Sequence, residues 1–96
     1  MSSVTMFSIV EVGVGDEERF IQFIKQIRAY FSKQTGFITQ QLYRSQTASE
    51  PKFMVVGKWE SSMALEAATK SEDWKRLTSV LPLKLNPLPF EEFVVE

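Results

Sequence analysis

The sequence of 96 residues contains no cysteine and no histidine. The absence of cysteine excludes disulfides, thiolate nucleophiles and cysteine-ligated zinc or iron–sulfur clusters. The absence of histidine excludes Ser-His-Asp and Cys-His catalysis, histidine-bound zinc and a proximal histidine on haem. An acid–base step must therefore use aspartate, glutamate, lysine, tyrosine or the substrate itself.

Long apolar runs and an excess of one charge are also missing. No run approaches the roughly 18 apolar residues of a membrane-spanning helix, and the N-terminal segment does not resemble a secretory signal. We therefore expect a cytoplasmic protein with no membrane partner. Eleven basic and twelve acidic residues give a formal net charge of -1, so we expect no nucleic acid partner. The acidic pairs lack the spacing of an ion-binding loop, so we expect no metal site.

Apolar and aromatic residues are plentiful. Hydrophobic residues make up 44% of the sequence and eight are Phe, a composition that argues against disorder. The length predicts a single domain over residues 1–96, with no room for a second core.

Six segments have recognisable secondary-structure patterns. Strands are predicted at 4–12, 37–45, 52–60 and 90–96, a helix at 16–34, and two helical pieces within 61–81 that begin at the N-caps Ser61 and Ser71. Gly36 is a natural stop for the first helix, and Pro82 ends the second helical region. The order strand, helix, strand, strand, helix, strand predicts an α+β fold of the ferredoxin-like, split βαβ type, with a four-stranded antiparallel sheet and helices on one face.

The predicted strands are apolar on both faces. If one face packs on the helices, six apolar residues remain on the other face: Phe7, Ile9, Met54, Val56, Phe93 and Val95. An apolar patch of this kind usually marks an interface, and a symmetric pair of sheets would bury it. We therefore expect a homodimer; a monomer with a partly apolar surface remains the alternative.

Six short motifs follow one another in a characteristic order along nearly the whole chain. The motifs are VGVGDEERF (12–20), QTGFI (34–38), LYRS (42–45), KWES (58–61), ALEA (64–67) and SEDW (71–74). Their order and spacing resemble the antibiotic biosynthesis monooxygenase family. The resemblance implies a dimeric α+β barrel with a pocket between sheet and helices. It also implies one of two activities found in the family: cofactor-independent oxygenation of a small anthrone or quinol, or degradation of haem.

The sequence departs from the family pattern at several functional positions. Trp59 matches the tryptophan that ends the third strand in the family. The anthrone-oxidising members place Asn four residues before it and Tyr six residues after it, where this chain has Val55 and Leu65. The haem-degrading members need a histidine, which is absent, and an Asn on the first strand, where Ser8 stands. Haem degradation is therefore not expected.

The candidate site combines these positions with residues chosen for their chemistry. Trp59 and Trp74 are expected to stack on a flat substrate, Arg76 or Arg44 to stabilise an enolate-like oxygen, and Tyr43 or Tyr30 to relay a proton. The predicted catalytic residues are Trp59, Arg76 and Tyr43, and the predicted substrate contacts are Ser8, Val55, Gly57, Leu65 and Trp74, with Gly57 leaving space in the pocket floor. Each also has an ordinary structural interpretation, as a core residue or a solvated charge.

Two functions are consistent with these residues, and a third interpretation, a structural dimer with no ligand, would be favoured by a sheet–helix cleft filled with its own side chains. The first is a cofactor-independent oxygenase of a small aromatic molecule such as a quinol or anthrone. The second is a dimeric binding module of the same fold that has lost the reactive polar groups, which Val55 and Leu65 favour.

Overall fold

A computed structural model of the chain describes residues 3–79 and 90–96. The elements in chain order are β1 (Val4–Glu11), α1 (Glu17–Phe31), β2 (Phe37–Arg44), β3 (Lys52–Trp59), α2 (Ser62–Lys70), α3 (Glu72–Ser79) and β4 (Glu91–Phe93). The strands form one sheet in the order β2-β3-β1-β4, and each neighbouring pair is antiparallel. This topology confirms the predicted α+β ferredoxin-like fold.

Two element boundaries differ from the sequence predictions. Helix α1 ends at Phe31 rather than Gln34, because the amides of Lys33 and Gln34 bond three residues back, in tighter turns. Gly36 has a positive φ of 90° but lies in the loop that enters β2 rather than at the helix end. The last strand spans only Glu91–Phe93. The proline-rich connection predicted at 82–89 lies outside the described residues.

The second helical region is divided as predicted. The Ser61 hydroxyl accepts a hydrogen bond from the Ala64 amide at 3.1 Å and caps α2. The Ser71 hydroxyl accepts one from the Trp74 amide at 3.0 Å and starts α3. Among the described residues, no helix is both long enough and apolar enough to cross a bilayer.

The core lies between the helices and one face of the sheet, here called the inner face. Its members are buried apolar side chains from both layers: Val4, Met6, Val10, Val12, Phe20, Phe23, Ile24, Ile27, Phe31, Phe53, Val55, Trp59, Leu65 and Ala68. Helix α1 contributes one stripe to this core, because its buried residues recur every three or four positions. Helix α1 is therefore amphipathic, with its apolar stripe facing the sheet.

The opposite side of the sheet, here called the outer face, also carries apolar side chains. Its members include Phe7, Ile9, Tyr43, Met54, Val56 and Phe93. Ile9 is 51% exposed and Phe93 51% exposed, and the Phe7 and Phe93 rings meet edge to face. The prediction that apolar side chains occupy both faces of the sheet is confirmed.

Candidate functional site

Cross-strand register arranges the inner face in rows. In one row, Val55 of β3 lies between Leu42 of β2 and Ser8 of β1. In the next, Gly57 lies between Gln40 and Met6, and in the row beyond it Trp59 lies between Phe37 and Val4. The row of Gly57 therefore has no side chain at its centre, whereas the rows on either side have Val55 and Trp59 there.

A cavity of about 30 Å³ lies between the inner face and the helices. Its described lining consists of Met6, Ser8, Ile24, Ile27, Phe31, Gln40, Val55, Thr69, Trp74 and Phe90. This volume holds about two water molecules. An aromatic substrate would therefore enter only when part of the wall moves outward.

The described lining is apolar and aromatic with three neutral polar side chains, those of Ser8, Gln40 and Thr69. The Thr69 hydroxyl donates to the Leu65 carbonyl at 2.9 Å, so its proton is already used within α2. None of the described lining residues is titratable. The described lining residues offer no counter-charge to a charged ligand, and burying an unpaired charge is costly, so these residues favour an uncharged ligand.

Gln40 and Thr69 are polar residues of this lining that the sequence interpretation did not single out. Gln40 is 2% exposed, and among the described residues neither its amide nitrogen nor its amide oxygen has a hydrogen-bond partner. Burying an unpaired amide destabilises a fold by about 1–3 kcal/mol. In the sequence, Gln40 stands two residues before Leu42, so the two share one face of the strand. A glutamine beside Leu42 on a face that packs against the core was the available signal.

Trp59 faces the helices as predicted, but it does not line the cavity. Its side chain is fully buried, with ring contacts to Phe31 at 4.9 Å and Phe37 at 5.3 Å between centroids. Phe31 lines the cavity and also packs on Trp59. The indole therefore supports the cavity wall from behind, which differs from its predicted place in the wall.

Gly57 and Leu65 also lie in the packed core. A Cβ atom on Gly57 would lie in ordinary van der Waals contact with the Met6 Cε at 3.5 Å and the Trp59 Nε1 at 3.8 Å. Leu65 is 1% exposed and belongs to the core. Neither Gly57 nor Leu65 lines the cavity, whereas Ser8, Val55 and Trp74 line it together.

Trp74 forms the aromatic wall, and Tyr30 holds that wall in place. The Trp74 ring stacks on Phe31 at 5.2 Å with an interplanar angle of 8°. The Tyr30 hydroxyl donates to the Ala68 carbonyl at 2.7 Å and contacts the Ser71 hydroxyl. Tyr30 thus attaches the α2–α3 junction to α1. No residue of α3 is fully buried, so α3 contributes its part of the wall with few buried contacts.

Arg76 and Tyr43 lie apart from the cavity. Arg76 bonds Asp73 at 2.7 Å on the exposed side of α3. Tyr43 is 50% exposed on the outer face, because a bulge between Phe37 and Thr39 reverses the alternation of β2. Arg44 lies over the Phe53 ring, 4.9 Å from its centroid. The structure therefore does not bring these predicted polar groups together with the aromatic wall.

Charged groups of the described chain lie outside the cavity. The Lys70 ammonium bonds the Glu66 carboxylate on α2 and lowers the pKa of that carboxyl, first through the hydrogen bond and second through its charge. Both side chains are exposed. Within residues 3–79 and 90–96, no three acidic side chains gather closely enough to hold a metal ion.

Solved structures share this fold. A conserved protein of unknown function from Bacteroides thetaiotaomicron matches with a TM-score of 0.78 at 22% identity, over 98% of each chain. A variant of SnoaB, a cofactor-independent oxygenase from Streptomyces nogalater, matches with a TM-score of 0.78 at 18% identity, over 100% of this chain and 93% of that chain. A conserved protein from Methanosarcina mazei matches with a TM-score of 0.76 at 16% identity, over 100% and 93%.

The family follows from the sequence itself. No curated protein matches the chain significantly in sequence. Residues 6–78, which run from β1 to the end of α3, match the antibiotic biosynthesis monooxygenase family. That match covers most of the chain and includes nine of the ten described lining residues of the cavity. The chain therefore belongs to the antibiotic biosynthesis monooxygenase family.

Proposed function

We propose that the protein is a cofactor-independent monooxygenase that oxidises a small, uncharged aromatic substrate of the quinol or anthrone type with O2. The observation that carries this proposal is the cavity itself, which has an aromatic wall, an apolar lining and one buried amide. Family membership and the structural similarity to a cofactor-independent oxygenase support the reaction class.

The proposed reaction draws its electrons from the substrate. In an anthrone-type oxidation, the ring methylene loses a proton and the carbanion reacts with O2. One oxygen atom stays on the carbon as a carbonyl, and the other leaves as water with the two methylene hydrogens. The equation balances without a reductant. The protein would hold the ring, exclude water and stabilise the developing oxyanion.

The described side chains suggest how these tasks are divided. Trp74 and Phe31 offer stacking surfaces to a flat ring. The Gln40 amide offers an N–H donor to an oxyanion in a low-dielectric site, where such a bond is strong. Since the described lining has no titratable group, the substrate's own acidity supplies the anion in this proposal.

Oxygen consumption tests the proposed reaction. The purified protein is mixed with a panel of hydroquinones and anthrones, with and without a chelator. We expect protein-dependent O2 uptake with at least one substrate, unchanged by the chelator. Trp74→Ala is expected to lower kcat/KM by about tenfold through lost stacking, whereas Lys75→Ala, an exposed change on the same helix, should leave it unchanged.

A second function, that of a binding module, is favoured by one observation. Val55 and Leu65 are apolar where the anthrone-oxidising members carry Asn and Tyr, and Leu65 is packed in the core. A binding module would bind one of the aromatic probes tightly and show no protein-dependent O2 uptake with any of them. That pair of results would contradict the proposed oxygenase.

We also propose that two copies of the chain pair through their outer faces. The outer face carries Phe7 and Ile9 of β1, Met54 and Val56 of β3 and Phe93 of β4, flanked by charged residues such as Lys58 and Glu91. The Phe7 and Phe93 rings are in contact at 6.0 Å. A short chain buries only about 60–70% of its unfolded surface, so covering this face with a second copy adds substantially to its stability. In a two-fold symmetric dimer both copies use the same face, so the two apolar surfaces cover each other.

Charge on the outer face should dissociate the dimer. Val56 is the central outer-face residue of β3, paired with Phe7 of β1 and Gln41 of β2. We expect Val56→Asp to weaken association by about a hundredfold or more, because a buried unpaired carboxylate costs several kcal/mol. Sedimentation velocity over a concentration series measures this shift. Lys25→Asp, on the exposed side of α1, should leave association intact. A wild-type chain that sediments as a folded monomer at micromolar concentration would contradict the dimer.

A further inference from the structure

We propose that Gln40 is the specificity-determining residue of the cavity and that its amide binds the hydroxyl group of a neutral, phenol-type ligand. This inference rests on the proposed function only in taking the ligand to be aromatic. The hydroxyl would donate to the Gln40 Oε1 and accept from its Nε2. The ligand class is therefore narrower than aromatic: it carries an uncharged group that both donates and accepts a hydrogen bond.

The first step of the argument is the state of the amide. Gln40 is 2% exposed and lines the cavity, and within the described part of the chain neither side-chain polar atom has a hydrogen-bond partner. Buried polar groups are almost always paired in folded proteins. An unpaired amide beside a cavity therefore indicates a partner that arrives from the cavity.

The second step is the position of Gln40 on the sheet. Gln40 is the cross-strand partner of Gly57, and the Trp59 Nε1 lies 3.8 Å from the place where a Cβ of Gly57 would be. The Trp59 Nε1 is also buried without a hydrogen-bond partner. Two unpaired polar groups thus flank one glycine, in a region otherwise formed by apolar side chains such as Met6.

The third step concerns charge. A lone amide offers one acceptor and two donor hydrogens, and it carries no net charge. Neither Ser8 nor Thr69, the other polar residues of the described lining, adds one. A carboxylate or ammonium ligand would lose its hydration and gain no counter-ion from the described lining residues. A neutral hydroxyl satisfies the amide without this cost.

Binding of matched ligands to the full chain tests the inference. The probes are naphthalene, 1-naphthol and 1-naphthoate, which share one ring system and differ in the polar group. We expect the wild-type protein to bind 1-naphthol about tenfold more tightly than naphthalene, the effect of one to two hydrogen bonds. It should bind 1-naphthoate most weakly. Affinity is measured by calorimetry or by quenching of tryptophan fluorescence.

Two substitutions at Gln40 remove the amide with little change of volume. Gln40→Met keeps the unbranched shape, and Gln40→Leu serves as a second variant if the first fails to fold. Both should bring the naphthol-to-naphthalene preference close to one while the affinity for naphthalene changes by less than about twofold. Gln26→Met, on the exposed side of α1, should keep the wild-type preference.

The outcomes separate this inference from the proposed function. A preference for 1-naphthol that survives Gln40→Met would overturn the role of Gln40, as would a wild-type protein that binds neither neutral probe or binds 1-naphthoate most tightly. If Gln40→Met removes the preference but no substrate supports O2 uptake, ligand recognition stands and the oxygenase proposal fails. If O2 uptake occurs and the preference is unchanged by substitution of Gln40, the oxygenase proposal stands and the role of Gln40 in ligand recognition fails.

Discussion

Replacing Trp59 by alanine is expected to lower the free energy of unfolding by about 3–5 kcal/mol. The Trp59 side chain is fully buried, and its ring packs edge to face against Phe31 and Phe37. Removing the indole takes away its transfer free energy and leaves a void that the sheet cannot close, because Trp59 is held by register to both Val4 and Phe37.

Chemical denaturation of the variant measures this loss, and Trp74→Ala is the matched control. Trp74 is only partly buried and belongs to α3, which has no fully buried residue. We therefore expect Trp74→Ala to cost about 1–2 kcal/mol but to weaken binding of aromatic probes more than Trp59→Ala does. A small stability loss for Trp59→Ala together with the larger loss of affinity would place its ring in the ligand site and contradict its position in the core.

The parts of the fold that the sequence predicted well are those with local physical causes. The stripe of α1 follows from apolar residues at helical spacing, and the caps at Ser61 and Ser71 follow from hydroxyls placed just before helical segments. The inner and outer faces of β1 and β3 follow from simple alternation, because those strands pair without interruption. Each of these patterns is complete within a few neighbouring residues.

The candidate site was predicted less well because it depends on a bulge. Alternation counted from Phe37 places Tyr43 on the inner face, but the register shift between Phe37 and Thr39 puts Gln40 and Leu42 there instead. The same shift sends Tyr43 outward. A bulge of this kind has little sequence signal, since it is set by pairing with β3. The sequence therefore did not indicate that Gln40, rather than Tyr43, is the polar residue of β2 that lines the cavity.

The position of Trp59 behind the cavity depends on packing between layers. Alternation along β3 placed the ring on the same face as Val55 and Gly57, and the family resemblance turned that face toward the helices. No local pattern shows that Phe31 comes between the indole and the cavity. For Arg76, the ion pair with Asp73 three residues earlier is readable from the sequence. That pairing explains why the guanidinium lies on the exposed side of α3.

Replacing Gly36 by alanine is expected to destabilise the fold by about 2–4 kcal/mol, from two causes. Gly36 has a φ of 90°, which an L-amino acid with a side chain rarely adopts. A Cβ at this position would also lie 2.5 Å from the Cβ of Ala64 in the first turn of α2. The Gly36 carbonyl accepts a hydrogen bond from the Glu60 amide at 2.7 Å, so the loop and α2 have little freedom to separate.

Two comparisons separate the contribution of the strained backbone at Gly36 from that of the clash with the Ala64 Cβ. Gly15 has a φ of 97° but nothing within 4 Å of an added Cβ, so Gly15→Ala measures backbone strain alone and should cost about 1 kcal/mol. Adding Ala64→Gly to the Gly36→Ala variant removes the clash and leaves the strain. A double-mutant cycle from denaturation curves should then show a favourable coupling of about 1–2 kcal/mol between the two sites. Equal losses for Gly15→Ala and Gly36→Ala, with no coupling, would show that α2 does not approach the loop as closely as the structure places it. Because α2 carries Thr69 to the cavity, the same result would also move one wall of the proposed site.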